Sequence, residues 1–334
     1  MKKLEPSAQT FTLQWTAPAG QNTKQYADLS QIASLVNRRF YRQGLNWMVS
    51  GMKLITTTLA GTPVTGNVVV SKLPESWIMS NAWEKSFRAW MRMNNEALEE
   101  NESIRPKFLD FKIYADDDHH HVGFAANLLP RIVGHTATPG AWESSKFRVP
   151  DTSAASGGTQ NREIIAVGPS YQGPSPATGF NAVSCISGYA TSRALPDVLD
   201  PNVPADAADA DGQFPDNWLA ALFNEGTQQT EDVLDDMITE NVIAPYPFEN
   251  DGVHLDTMYP GGETQLPGLQ IHDIIQISPT TLGQTSYVKG GSFPCGLIKI
   301  ANNNSSDDDH LCTLLIDLVP GNHRGYLATS MTEM

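Results

Sequence analysis

Residues 10–16 alternate strictly, with Phe11, Leu13 and Trp15 on one side and Thr10, Thr12, Gln14 and Thr16 on the other. A period of two sends successive side chains to opposite faces of a strand, so this segment must bury one face and leave the other wet. The same pattern returns at 268–278, through Leu269, Ile271, Ile275 and Ile277, and at 311–319, through Cys312, Leu314, Ile316 and Leu318. Shorter runs predict strands at 45–57, where Gly51 marks a bulge or close approach, and at 67–74, 109–114, 142–150, 163–168, 180–191 and 286–300. With 26 glycines and 22 prolines between such runs, the chain reads as mainly β and rich in loops.

Helical periodicity is rarer. Over 76–101, Trp83, Phe87, Trp90, Met91 and Leu98 recur at spacings of four, three, one and seven, which keeps them on one face. Asn81 and Glu84 form a capping-box start, and Glu84 and Arg88 stand one turn apart as an ion pair. Trp77, Trp83 and Trp90 read as the packing of this helix on a sheet, in preference to an aromatic binding platform. Asp28 caps a short helix carrying Leu29, Ile32, Ala33 and Val36, with Gln31 completing a capping box and Arg38 and Arg39 at its end. A third helix is expected at 217–240, where Trp218, Leu222 and Phe223 are followed, after a break at Gly226, by Val233, Leu234, Met237 and Ile238.

A chain of 334 residues can bury one large core or two ordinary ones. The segment DTSAASGGTQN at 151–161 has no apolar face and reads as a linker or exposed loop. On both sides of it the order of elements recurs, two strands leading into a helix. That echo predicts two β-barrels in tandem, residues 1–155 with helix 80–101 and residues 160–334 with helix 217–240. The alternative is a single eight-stranded roll with long loop insertions.

The net charge of -15 is unevenly placed, for between Arg193 and Lys289 there is no Lys or Arg at all. Such a surface is soluble and offers no groove for nucleic acid. Cys185, Cys295 and Cys312 show no CxxC spacing and lie in apolar, strand-like runs, so buried reduced thiols and synthesis in a cytoplasm are expected. No segment approaches the roughly 18 uninterrupted apolar residues of a membrane span.

Candidate chemistry is sparse. The run Asp116 to His121 brings carboxylates and imidazoles together, but six neighbours in a turn rarely converge as ligands, and a solvated loop is the better reading. If a metal binds, His119, His121 and His135 are its candidate ligands, as in a cupin-type roll. Asp206 to Gly212 has the look of a calcium loop, yet counting from Gly212 as the sixth position puts Ala207 first and Trp218 twelfth, and the signature fails. There is no GxSxG and no glycine-rich strand-to-helix cradle for phosphate. The chain is therefore expected to be no enzyme and to carry no cofactor.

Several runs nevertheless look familiar: VNRRFYRQGLNWMVSG (36–51), LPESWIMSNAWEKSFRAW (73–90), PKFLDFKIYADDDHH (106–120), MYPGG (258–262) and GGSFPCGLIKI (290–300). Together they resemble major capsid proteins of small tailless icosahedral viruses with circular single-stranded DNA genomes. The resemblance implies jelly-roll barrels, no catalytic residues, and a structural role in a self-assembling shell. Single jelly-roll capsids of this kind generally begin with an Arg-rich arm that reaches the genome, and this chain departs from that pattern. Double jelly-roll capsid proteins, like those of lipid-containing phages, need no such arm, and the echoed halves agree with them. On that reading three chains form a pseudo-hexagonal homotrimer. Its neighbours are further capsomers, other capsid proteins such as a penton, and an internal viral membrane, with little direct nucleic-acid contact. The protein would reside in the virion after synthesis in the host cytoplasm. The acidic stretch 196–266 would contribute exposed loops, and Arg38, Arg39 and Arg42 would either face acidic surface on a neighbouring subunit or form a solvated basic patch after the short helix. The competing expectation is a cupin-like metal-binding or glycan-binding β-roll, which needs a concave site with convergent polar groups.

Overall fold

The computed structural model describes residues 6–59, 61, 63–101, 103, 105, 109–151, 158–172, 180–193 and 268–334. In chain order these form β1 (Thr10–Ala17), β2 (Asn22–Asp28), α1 (Leu29–Asn37), β3 (Leu45–Thr58), β4 (Gly66–Lys72), α2 (Trp77–Glu100) and α3 (Asp117–Val122). Next come β5 (Arg131–Ile132), β6 (His135–Thr136), β7 (Phe147–Asp151), β8 (Gly158–Ile165), β9 (Ala182–Ser184) and α4 (Cys185–Arg193). The last group is β10 (Gln270–Ile277), β11 (Thr285–Phe293), β12 (Leu297–Asn304), β13 (His310–Leu318), β14 (Pro320–Gly321), β15 (Gly325–Tyr326) and β16 (Ala328–Ser330). The protein is mainly β with curled antiparallel sheets. Among the described residues no helix is long and apolar enough to cross a membrane.

Contacts divide the chain into two units, one of residues 1–75, 108–143 and 269–334, the other of residues 76–107 and 144–268. The first holds two sheets, ordered β1-β13-β3-β11, with β16 added to β3, and β10-β4-β12-β2. Its eight long strands change sheet at almost every step along the chain; only β4 and β10, which the other unit separates in sequence, lie in the same sheet as successive members. The alternating residues do what their period requires: Phe11, Leu13 and Trp15 of β1 join Leu314 and Ile316 of β13, Met52 and Leu54 of β3, Val68 and Val70 of β4 and Ile298 and Ile300 of β12 in one core. Each such side chain, taken from water, contributes roughly 1.5–3 kcal/mol. At one end Tyr41, Trp47 and Tyr326 pack with ring centroids 5.6–5.8 Å apart, and the Tyr326 hydroxyl donates to the Ala8 carbonyl at 2.6 Å.

The expected tandem division is corrected by these pairings. β1 lies beside β13 in register Thr10↔Asp317 through Ala17↔His310, so strands assigned to a first barrel and a second barrel share both sheets. Of the stretch 151–161, expected to be a linker or exposed loop, Asp151 and residues 158–161 lie in paired antiparallel strands, with Asp151 opposite Gly158, and residues 152–157 lie outside the described residues. β3 and β4, the two strands that lead into α2, belong to different sheets, and 286–300 is two strands, β11 and β12, joined by a tight turn in which Cys295 adopts φ 55°. Helix 217–240, the segment 206–212, MYPGG at 258–262 and the acidic stretch 196–266 lie outside the described residues.

The second unit contains α2, α4 and the sheet β7-β8-β9 among its described residues. α2 begins a turn earlier than expected: Ser76, not Asn81, is the cap and accepts from the Met79 amide at 3.4 Å, which brings Ile78, Met79 and Ala82 into the buried stripe with Trp83 and Trp90. Glu84 and Arg88 pair as expected. The strand expected over 180–191 stops after Ser184, where α4 starts and packs against α2 through Ser86 Oγ and Cys185 Sγ, 3.3 Å apart, and through Trp77 edge-on to Tyr189. All three cysteines are free and buried, though only Cys312 sits in a strand.

Candidate functional site

The densest polar constellation lies on the face of sheet β10-β4-β12-β2 that points away from the core. Ile298 and Ile300 face inward, so Lys299 between them faces out, and its register partner on β2 is Tyr26. Over this pair folds α3, capped by Asp116, whose Oδ1 accepts from the His119 amide at 2.9 Å and from the Tyr26 hydroxyl at 2.7 Å. Lys299 Nζ reaches Asp116 Oδ2 at 2.5 Å and Asp118 Oδ2 at 2.9 Å, and Lys24 Nζ meets the same Asp118 oxygen at 2.5 Å.

His119 is fully buried, with its ring stacked on Tyr26 at 4.4 Å. Its Nδ1 accepts from the Ala115 amide at 3.1 Å, which leaves the proton on Nε2 to be donated to Asn127 Oδ1 at 2.9 Å. Asn127 passes the chain to Gln31 Oε1 at 3.0 Å. Gln31 in turn opens α1, whose cap Asp28 collects four donors: the amides of Ser30 and Gln31, Gln43 Nε2 at 3.1 Å and Trp142 Nε1 at 3.0 Å. Gln43 also bonds both polar groups of Ile113, giving to its carbonyl at 3.2 Å and accepting from its amide at 2.7 Å. The segment expected to be a strand at 109–114 forms no ladder: the Gln43 side-chain amide pairs both backbone groups of Ile113, and only Tyr114 makes a bridge.

Charge in this network is held in place. Burial would raise the Asp118 carboxyl, but Lys24 and Lys299 bring it below its ordinary value. Burial would lower Lys299, yet Asp116 and Asp118 leave it raised. Burial, then the nearby Asp116, raises the Tyr26 hydroxyl. Burial takes His119 down to about 4, and burial lifts Asp28 up to about 6 against the pull of its donors. The histidine has no ring nitrogen to spare, and two of the three aspartates already hold ammonium groups. Chemically this is a clamp that fastens 109–128 to β2, α1 and β12.

No family model, no curated protein and no solved structure matches this chain.

Of the candidate metal ligands, His119 is committed on both nitrogens, His121 is exposed with Nδ1 2.8 Å from the Asp117 carbonyl, and His135 is exposed in the short hairpin of β5 and β6. Among the described residues the only trio of metal-ligating groups is Asp116, Asp117 and Asp118, whose oxygens lie within 4.8 Å of one another, and Lys24 and Lys299 already hold two of the three. The three histidines do not form a site. The solvated loop expected at 116–121 is a short helix with a buried imidazole at its centre, because Asp116 caps it and Tyr26 shields it. Arg38 is exposed at the left-handed end of α1, Arg39 is half-buried, and Arg42 donates to the Leu109 carbonyl at 3.3 Å while lying over Phe40. A shallow hollow of about 450 Å³ along α2, beside Phe87, Met91 and Asn95, opens to solvent. Sequence reasoning missed Tyr26, Lys299, Gln43 and Asn127, since nothing local marks residues that meet only after β2 and β12 pair.

Proposed function

We propose that this chain is a structural virion protein, a major capsid protein that assembles with copies of itself, and that its eight-stranded unit is a single jelly roll with a long insertion between β4 and β10. The observation that carries this reading is the strand order β1-β13-β3-β11 over β10-β4-β12-β2, in which alternate strands feed opposite sheets as two Greek keys do. Jelly rolls of this kind serve capsids, lectins and cupins. Two features favour the first. The middle of the roll is filled by Phe11, Leu13, Met52 and Leu54, apolar side chains that offer a cupin-type metal no ligands. The edge strands β10 and β11 carry exposed apolar residues, Ile271 (57 % exposed), Ile274 (52 %) and Tyr287 (75 %), of the sort that a repeated lateral contact would cover. The pseudo-hexagonal trimer belongs to two upright barrels per chain, so with one roll per chain the capsomer is expected to be a homo-oligomer without that outline.

Light scattering on the purified protein, with negative-stain images of the same fractions, tests the reading. Discrete oligomers or closed shells are expected. A persistent monomer that retains stoichiometric metal would overturn it in favour of the cupin-like alternative.

A further inference from the structure

At the end of the roll where β1 runs into β2 and β12 into β13, the core turns polar. Asn302 of β12 faces inward and stands directly opposite Thr23 of β2. His310, the first residue of β13, faces inward between Ala17 and Thr58. Asn302 and His310 are 0 % and 1 % exposed, and among the described residues they alone have both side-chain polar atoms buried without a hydrogen-bond partner; the Thr23 hydroxyl is likewise unpaired. The two sheets are tied here by Asn304, two residues along the same face of β12, whose amide gives to the carbonyls of Ala17, Pro18 and Asp308, each at 3.0 Å. Ala17 is the register partner of His310, so the tie brings the Asn302 and His310 positions to one end of the core. Asn304 shows what the protein does when backbone groups are in reach. Asn302 reaches none.

We propose that this end of the roll is a built site for ordered internal water, bridging Asn302, Thr23 and His310 between the two sheets. The chemistry selects the ligand. A buried amide, a hydroxyl and a neutral imidazole together ask for a partner that both donates and accepts, which excludes a simple cation or anion. Burial lowers His310 against the pull of Asp309, in keeping with a neutral ring that offers one donor and one acceptor. Five unpaired atoms at about three hydrogen bonds per buried water call for about two molecules. Leaving all five bare would cost a sizeable part of the stability of an ordinary domain.

The test is a high-resolution structure of the full chain, read with thermal unfolding of two variants. Ordered solvent within hydrogen-bond distance of both Asn302 and His310 is expected. Asn302→Leu is expected to lower the unfolding midpoint by about 3 °C, because it strips the water of a partner. Asn302→Leu combined with Thr23→Val and His310→Leu should recover most of that loss. A direct Asn302–His310 bond with no solvent between, an ion or organic molecule in the site, or a midpoint that rises in Asn302→Leu would each overturn the proposal. The structure decides the matter even if a variant fails to fold.

Discussion

Lys299 Nζ sits 2.5 Å from Asp116 Oδ2 on a strand that neither α3 nor β2 could reach without the sheet, and both side chains are mostly buried, 16 % and 8 % exposed. Removing one member of such a pair strands the other. Lys299→Met is expected to cost about 3 kcal/mol in urea unfolding. Lys24→Met, whose pair with Asp118 is 48 % and 36 % exposed, should cost roughly 0.5 kcal/mol. Equal losses in the two variants would sink the distinction between clamp and surface pair.

The same clamp sets a pH response with two opposing limbs. His119, at about 4 in the fold against an ordinary 6.5, is held neutral, so its contribution is fully present above pH 6.5 and lost as pH falls through about 4. Asp28, at about 6 against 3.8, is favoured in its protonated form, so its contribution is present below pH 3.8 and lost as pH rises through about 6. Each limb is worth roughly 3 kcal/mol, and between pH 4 and 6 they offset. His119→Gln keeps a donor and an acceptor but cannot titrate. Its stability is expected to fall as pH rises from 4 to 6, and a curve that climbs over that range would refute the assignment.

Asp28→Asn is expected to destabilise the protein at neutral pH by about 2 kcal/mol, although it removes a buried charge. Four donors converge on the two carboxylate oxygens, two of them, from Gln43 and Trp142, on Oδ2. An amide nitrogen there would point a donor at two donors. Urea midpoints of the wild type and the variant at pH 7 decide it; a more stable variant would mean that relief of the buried charge, which already lifts the Asp28 carboxyl to about 6, outweighs the misplaced donor.

Gly290→Ala is expected to cost about 2 kcal/mol or more, while Gly51→Ala should be nearly neutral. A Cβ on Gly290 would fall 2.3 Å from the Ser50 carbonyl oxygen, whereas at Gly51 the nearest atom, the Val288 carbonyl oxygen, is 3.6 Å away. Thermal midpoints of the two variants make the comparison, and an equal shift would refute it.

That pair of glycines also shows what can be read before folding. Gly51 announced an irregularity in β3, and one is present, for the register against β13 shifts at Ser50; the close approach, however, is made by Gly290 on β11. Local periods were legible because burial imposes them: β1, β10, β13, α1 and α2 all fall where alternation or helical spacing put them. Pairing was not. Nothing in the alternation of Leu13 says that its neighbour is Leu314, and strands that alternate between two sheets mimic two similar halves. The clamp was visible as the run Asp116 to His121 but misread, since its partners Tyr26 and Lys299 are supplied by strands far away in the chain.

The placement of β13 between β1 and β3 has a consequence for how the protein is made. Until residues 310–318 have left the ribosome, β1 and β3 have no common neighbour and the sheet they belong to has a gap through its middle. Strands synthesised first must wait, unpaired, for a strand about 250 residues further along the chain, a topology whose long loop closures fold slowly and expose sheet edges meanwhile. Until β13 arrives, the nascent chain presents open strand edges in place of a finished sheet.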